Sequence, residues 1–164
     1  MRTDTWLDSV QLAMTPATGA PNDFTASVYS VGTAQWGALP GSSVGTLSGS
    51  TDPVTGGIFT YTASDLTLSA SSIYFIVLTA GTAVSSGAYA WSVENTSYAS
   101  VSGGWDAYEL VMSSSDGLVW KGTSPDCLQY SLTATAVPEP DPLYLLGLPA
   151  LLFFAWRRSR STAA

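Results

Sequence analysis

Apolar and polar side chains alternate along Trp6-Leu7-Asp8-Ser9-Val10-Gln11-Leu12-Ala13-Met14. In an extended chain this period of two places Val10, Leu12 and Met14 on one face, which predicts a half-buried strand. Similar short runs recur at residues 24–29, 58–61, 89–93, 107–112, 118–121 and 128–135. Many short strands at such spacing predict an all-β fold, an antiparallel β-sandwich that is jelly-roll-like.

Two further local patterns refine this prediction. Residues 72–79 are almost continuously apolar, which favours a central strand buried on both faces. Ser115-Asp116-Gly117 lies between two apolar runs and predicts a hairpin, because Asp and Gly tolerate positive φ. Turn-forming pairs such as Asp52-Pro53 and Gly56-Gly57 separate other strands.

The charge of the chain argues against nucleic-acid binding. Charged residues make up only 10% of the sequence, against roughly 25% in a typical soluble domain. Residues 1–136 contain ten acidic but only two basic residues. A surface with this balance repels phosphate backbones, so we expect no nucleic-acid partner.

The residue types present leave little material for catalysis. Histidine is absent, which excludes Ser-His-Asp and Cys-His nucleophiles and every histidine-containing metal site. Cys127 is the single cysteine, so no internal disulfide forms, and it is either a small packed side chain or a site of intermolecular pairing. The candidates for a hydrolytic carboxylate pair are Glu94, Asp106 and Glu109. We expect the two glutamates to be solvated, outward-facing residues in or beside strands, and the protein not to be an enzyme.

Loop aspartates do not form a recognisable metal motif. The candidates are Asp52, Asp106, Asp116 and Asp126, but the chain contains no Asp-x-Asp-x-Asp run. They are therefore interpreted as turn-forming residues, and we expect neither a metal nor a cofactor.

Residues 137–164 differ in character from residues 1–136. Val137-Pro138-Glu139-Pro140-Asp141-Pro142 predicts a stiff, extended linker. It is followed by the apolar run, residues 143–156, and by the basic cluster, Arg157, Arg158 and Arg160. As a helix the apolar run spans roughly 21 Å, less than the ~30 Å hydrocarbon core, so its length alone favours a buried helix. However, it is apolar on every side and ends at cations, which favours a short C-terminal apolar helix in a membrane with the basic cluster in the cytoplasm.

The tail resembles the PEP-CTERM sorting signal of exopolysaccharide-producing Gram-negative bacteria. The resemblance rests on three parts in order at the chain's end: the Val137-Pro138-Glu139-Pro140 motif, the apolar run and the basic cluster. It implies recognition by an exosortase, a membrane enzyme that processes such tails near the Pro-Glu-Pro motif, much as a GPI signal is processed. Asp141-Pro142 and Pro149 depart from the family pattern and bear on the efficiency of processing.

Residues 5–135 resemble choice-of-anchor domains of the R type. The similar segments are Leu7-Asp8-Ser9-Val10, residues 24–30, residues 39–49, residues 66–76 and Tyr89-Ala90-Trp91-Ser92. This resemblance implies that a signal peptide and the first part of the domain normally precede Thr5. Met1 to Trp6 contain no apolar h-region, so we expect the chain as written to need an upstream leader for export.

Aromatic residues suggest a second function. Flat aromatic rings stack on sugars, and the candidate glycan contacts are Trp36, Tyr98 and Trp105, with core packing as the other interpretation. The sequence therefore predicts a non-catalytic surface or matrix protein, with residues 1–136 as the surface domain and residues 137–164 as the sorting tail. The alternative is a carbohydrate-binding module for exopolysaccharide.

Overall fold

The chain folds into antiparallel β-strands. The structure, a computed structural model, describes residues 3–34, 37–49, 52–83, 85–94, 105–106, 111–115, 119–122 and 127–138, and no helix occurs among them. The strands in chain order are β1 (Thr5–Gly19), β2 (Thr25–Ala34), β3 (Gly37–Thr46), β4 (Ser48–Gly49), β5 (Gly57–Thr62), β6 (Thr67–Leu68), β7 (Tyr74–Thr79), β8 (Gly87–Trp91), β9 (Val93–Glu94), β10 (Met112–Ser113), β11 (Lys121–Gly122), β12 (Cys127–Leu128) and β13 (Tyr130–Ala136). The all-β, antiparallel prediction is confirmed.

Strand β1 is the centre of the larger sheet, which also contains β4, β5, β6, β8 and β13. At Val10 the strand pairs with Tyr61 of β5 and with Leu132 of β13, so β5 and β13 lie on opposite edges of β1. At Met14 the partners are β5 and β8, so β8 continues the β13 edge. Every other strand of this sheet except β4 therefore pairs directly with β1.

A β-bulge at Asp8 sets which side chains of β1 enter the core. Leu7 pairs with Ala134 and Ser9 pairs with Thr133, so Asp8 is an extra residue with no partner on β13. The extra residue shifts the alternation by one, and Leu7 therefore shares the buried face with Val10, Leu12 and Met14. Strict alternation would have placed Trp6 on that face.

The smaller sheet has the strand order β3-β2-β7. Here the prediction that residues 72–79 form a central strand is wrong: within the described residues β7 pairs only with β2 and forms an edge. The run is apolar because both faces of this edge strand are covered. Ile76 and Leu78 pack against the core, and Val77, on the opposite face, is only 5% exposed. A continuous apolar run reports burial of both faces but not the number of neighbouring strands.

Strand β3 is the other edge of the smaller sheet, and the sequence pattern did not predict it. It contains Pro40, which pairs with Val31 of β2, and its register with β2 shifts twice. Proline lacks an N–H group and is tolerated on an edge strand, where one side of the backbone has no partner strand.

Both sheets contribute to one hydrophobic core. Its buried members are Leu7, Val10, Leu12, Met14, Ala26, Val28, Leu47, Tyr61, Leu66 and Leu68. Two short antiparallel pairs, β9 with β12 and β10 with β11, complete the described part. The second pair lies on either side of the predicted turn at residues 115–117, but β11 begins only at Lys121, so Val119 and Trp120, predicted as strand, lie in a longer connection. Asp116 and Gly117 themselves lie outside the described residues.

Candidate functional site

The predicted sorting motif follows directly from the larger sheet. Strand β13 pairs with β1 from Tyr130 to Ala136, and the next N–H group, that of Val137, donates to the carbonyl oxygen of Asp4 at 2.9 Å. Pro138 is exposed and has no N–H group with which to continue the ladder. The start of the motif thus coincides with the end of strand pairing.

The sheet end at this junction is tied to a neighbouring turn. The Asp4 carboxylate accepts a hydrogen bond from the Ala70 N–H at 2.8 Å, while the Asp4 carbonyl binds Val137. Asp8, the bulge residue, accepts a hydrogen bond from the Thr135 hydroxyl at 2.7 Å. The last residues of β13 are therefore held by both backbone and side-chain hydrogen bonds.

The other predicted tail residues lie outside the described part of the chain. These are Glu139, Pro140, the apolar run, and Arg157, Arg158 and Arg160 of the basic cluster. Among the residues that the structure describes, no helix is long and apolar enough to cross a membrane.

The candidate glycan contacts are only partly described. Trp36 and Tyr98 lie outside the described residues, and Trp105 is half-buried and packs against the core. Trp91 donates its ring N–H to the Gln129 carbonyl at 2.8 Å and meets Tyr130 edge-on at 6.0 Å. Burial raises the pKa of Tyr130.

The outer face of the larger sheet carries a polar surface, which is bordered by the 74% exposed Ile58 opposite Ala13. This surface, called here the hydroxyl face, consists of Trp6, Ser9, Gln11, Thr60, Thr62, Ser131, Thr133 and Thr135. Cross-strand partners share a face, so Gln11 lies between Thr60 and Ser131, and its amide donates to the Thr60 hydroxyl at 3.4 Å. Trp6 is 42% exposed at one end of it. The sequence signal for this position of Trp6 is the polar pair Asp8-Ser9, which interrupts the alternation between Leu7 and Val10 and was not interpreted as a bulge.

The residues considered for catalysis or metal binding do not assemble in the described chain. Asp106 and Asp52 are exposed, and Glu94 lies on β9, where it pairs with Cys127 of β12. Glu109, Asp116 and Asp126 lie outside the described residues. No group of three or more His, Cys, Asp or Glu side chains that could hold a metal occurs within the described ranges. Cys127 is half-buried on β12.

Comparison with protein-family models, with curated proteins and with solved structures finds no match to this chain. The two resemblances described above therefore rest on the quoted residues.

Proposed function

We propose that this chain is a non-catalytic, exported surface or extracellular-matrix protein held at the cell envelope of a Gram-negative bacterium by residues 137–164. An exosortase-type enzyme is the proposed partner at Val137-Pro138-Glu139-Pro140. The apolar run enters the membrane as a short helix, and the basic cluster remains in the cytoplasm. For residues 1–136 we propose a jelly-roll-like β-sandwich, supported by the core that the two sheets share.

One observation carries this proposal: strand pairing ends at the residue where the motif begins. Val137 makes a backbone bond to Asp4 and Pro138 is exposed, so the motif follows the sheet without an intervening element. Pro-Glu-Pro then favours an extended chain that a membrane enzyme can bind. The domain and the tail are thereby suited to separate roles, display and anchoring.

Removal of residues 138–164 tests the anchoring role. In an exopolysaccharide-producing host, with an export leader fused to the N-terminus, the full chain should fractionate with the envelope and the shortened chain should appear in the medium. Glu139→Gln is the matched control, because it alters the motif but retains the apolar run and the basic cluster. The Glu139→Gln protein should stay in the envelope but be processed more slowly, which is measured by mass spectrometry as the fraction of protein that still carries its C-terminal peptide. Envelope retention of the shortened chain would refute the proposal.

The hydroxyl face supports a second candidate function, binding of exopolysaccharide. Exposed hydroxyl and amide groups can replace the hydrogen bonds of sugar hydroxyls with water, and Trp6 offers a ring for stacking. In glycan-binding assays on the full chain, Trp6→Ala and Gln11→Ala should weaken binding, while Val54→Ala, equally exposed elsewhere, should not. If all three variants bind glycan as strongly as the parent protein, this second candidate function is refuted.

A further inference from the structure

Two aspartates hold the last residues of β13 on the end of the larger sheet. The Val137 N–H donates to the Asp4 carbonyl at 2.9 Å, and the Thr135 hydroxyl donates to the Asp8 carboxylate at 2.7 Å. Both bonds join β13 to the beginning of β1, immediately before Pro138. We call these four residues, Asp4, Asp8, Thr135 and Val137, the terminal clamp.

The β1 side of the terminal clamp is itself fixed by neighbouring chain. Thr5 and Trp6 pair with β13 on one edge and with β6 on the other. The Asp4 carboxylate accepts the Ala70 N–H at 2.8 Å. In contrast, β13 pairs only with β1 among the described strands. The terminal clamp therefore opens by departure of the end of β13 from β1.

The terminal clamp occupies the first backbone donor of the predicted sorting motif. Because Pro138 has no N–H group, the next donor after that of Val137 belongs to Glu139. Proteins that bind an extended peptide take much of their affinity from hydrogen bonds to its main chain. An enzyme whose cleft encloses the motif must therefore compete with Asp4 for the Val137 N–H.

The linker after the terminal clamp is too short to carry the motif away from the folded domain. Residues 138–142 separate Val137 from the apolar run, and a chain of that length spans at most about 18 Å. A domain the size of residues 1–136 has a radius of gyration of about 14 Å, so its diameter exceeds the length of the linker. In the proposed arrangement a membrane enzyme meets the motif close to the end of the larger sheet.

We propose that the terminal clamp restrains processing of the tail, because the exosortase-type enzyme acts on the chain only after the end of β13 has left β1. This inference rests on the proposed function, since it names the step that regulates the same motif. The terminal clamp takes no part in the bond exchange itself. In that exchange the peptide bond breaks, its carbonyl carbon joins the oxygen of water or the nitrogen of an acceptor amine, and the leaving nitrogen takes the displaced proton. The processing rate then equals the rate for the open chain multiplied by the fraction of chains that are open.

Loosening the terminal clamp should therefore speed processing. Thr135→Val removes the hydroxyl that bonds to Asp8 but keeps the shape of the side chain and its preference for a strand. Loss of one such hydrogen bond shifts the opening equilibrium by roughly two- to tenfold. We expect that gain in two rates measured on the full chain in detergent micelles. One is its processing by membranes of an exopolysaccharide-producing bacterium, and the other is hydrogen exchange of the Val137 N–H.

Thr133→Val is the matched control, because it makes the same exchange on the same face of β13 outside the terminal clamp. It should leave both rates as they are in the parent. Unchanged processing of Thr135→Val, or unchanged exchange at Val137, would overturn the proposal. Equal gains for the two valine variants would overturn it as well.

An insertion separates release of the motif from general loss of stability. Gly-Ser-Gly-Ser placed between Ala136 and Val137 keeps the motif intact and gives its own first N–H to Asp4. The inserted chain should be processed faster than the parent, and Thr135→Val should then add nothing. A gain from Thr135→Val that persists in the inserted chain would overturn the proposal. If no variant is processed, the inserted chain included, the proposed function is refuted, whereas the exchange rates at Val137 still measure the terminal clamp by themselves.

Discussion

Removing one residue from the central strand should destabilise the fold much less at Asp8 than at Gln11, three residues further on. Asp8 is the extra residue of the bulge, so its removal leaves Leu7 opposite Ala134 and Ser9 opposite Thr133 in a regular ladder. Gln11 lies in regular pairing with both Thr60 and Ser131. Removing Gln11 moves every earlier residue of β1 to the opposite face of the larger sheet.

The expected loss of unfolding free energy follows from the hydrogen bonds or the buried side chains that each deletion removes from the fold. Without Asp8 the chain loses two hydrogen bonds, to the Thr135 hydroxyl and the Ala63 N–H, at about 0.5–1.5 kcal/mol each. Without Gln11 the buried side chains of Leu7 and Val10 turn to solvent, at about 1.5–3 kcal/mol each, before any cost for placing polar groups in the core. Since domains are stable by only about 5–15 kcal/mol, the second deletion consumes much of that stability.

Urea unfolding of the parent and the two deletion variants, followed by tryptophan fluorescence and circular dichroism, measures the difference. We expect the Asp8 deletion to fold and to lose roughly 1–3 kcal/mol of unfolding free energy. The Gln11 deletion should lose about 3–6 kcal/mol or fail to fold. Equal losses for the two deletions would refute the bulge as the device that sets the core face of β1.

Other predictions concern the core, the buried tyrosine and the tail. Leu12→Ala, at a fully buried position, should cost about 2–5 kcal/mol of unfolding free energy, whereas Ile58→Ala, 74% exposed, should cost little; similar losses would contradict the assigned core. Because the pKa of Tyr61 is raised from 10.0 to about 12, its contribution to the unfolding free energy should be constant below pH 10 and fall from pH 10 to 12 as the unfolded state ionises first, and Tyr61→Phe should lessen that fall. Replacing the three arginines of the basic cluster by glutamines should reduce envelope retention and expose the tail to external protease. If retention and protease cleavage are both unchanged, the apolar run alone anchors the protein.

The alternating strands could be predicted from sequence because burial of one face leaves a period of two. Val10, Leu12 and Met14 lie on the buried face as predicted. Leu7 joins them only through the bulge, where the polar pair Asp8-Ser9 interrupts the alternation without showing which of the two is the extra residue. Local composition therefore predicts a strand more reliably than it predicts which residues of the strand are buried.

Strand neighbours could not be predicted from the sequence for a different reason, and neither could the proximity of Asp23 to Asp52, whose carboxylate accepts the Phe24 N–H. Residues 72–79 are apolar enough for a central strand, yet the central strand is the alternating β1, since pairing depends on partners distant in the chain. Asp52 was a recognisable loop carboxylate, but nothing local connects it with Asp23. Their proximity follows from the closure of two loops, which only the folded chain displays.

The central claim, that residues 137–164 suffice to hold a protein at the cell envelope, is tested most directly by transferring them. The segment is joined to the C-terminus of an unrelated secreted reporter, and the fraction of reporter in the envelope of an exopolysaccharide-producing host is measured against the same fusion lacking residues 143–160. The intact tail should retain the reporter, and the shortened tail should release it to the medium. Release of both fusions would contradict the claim.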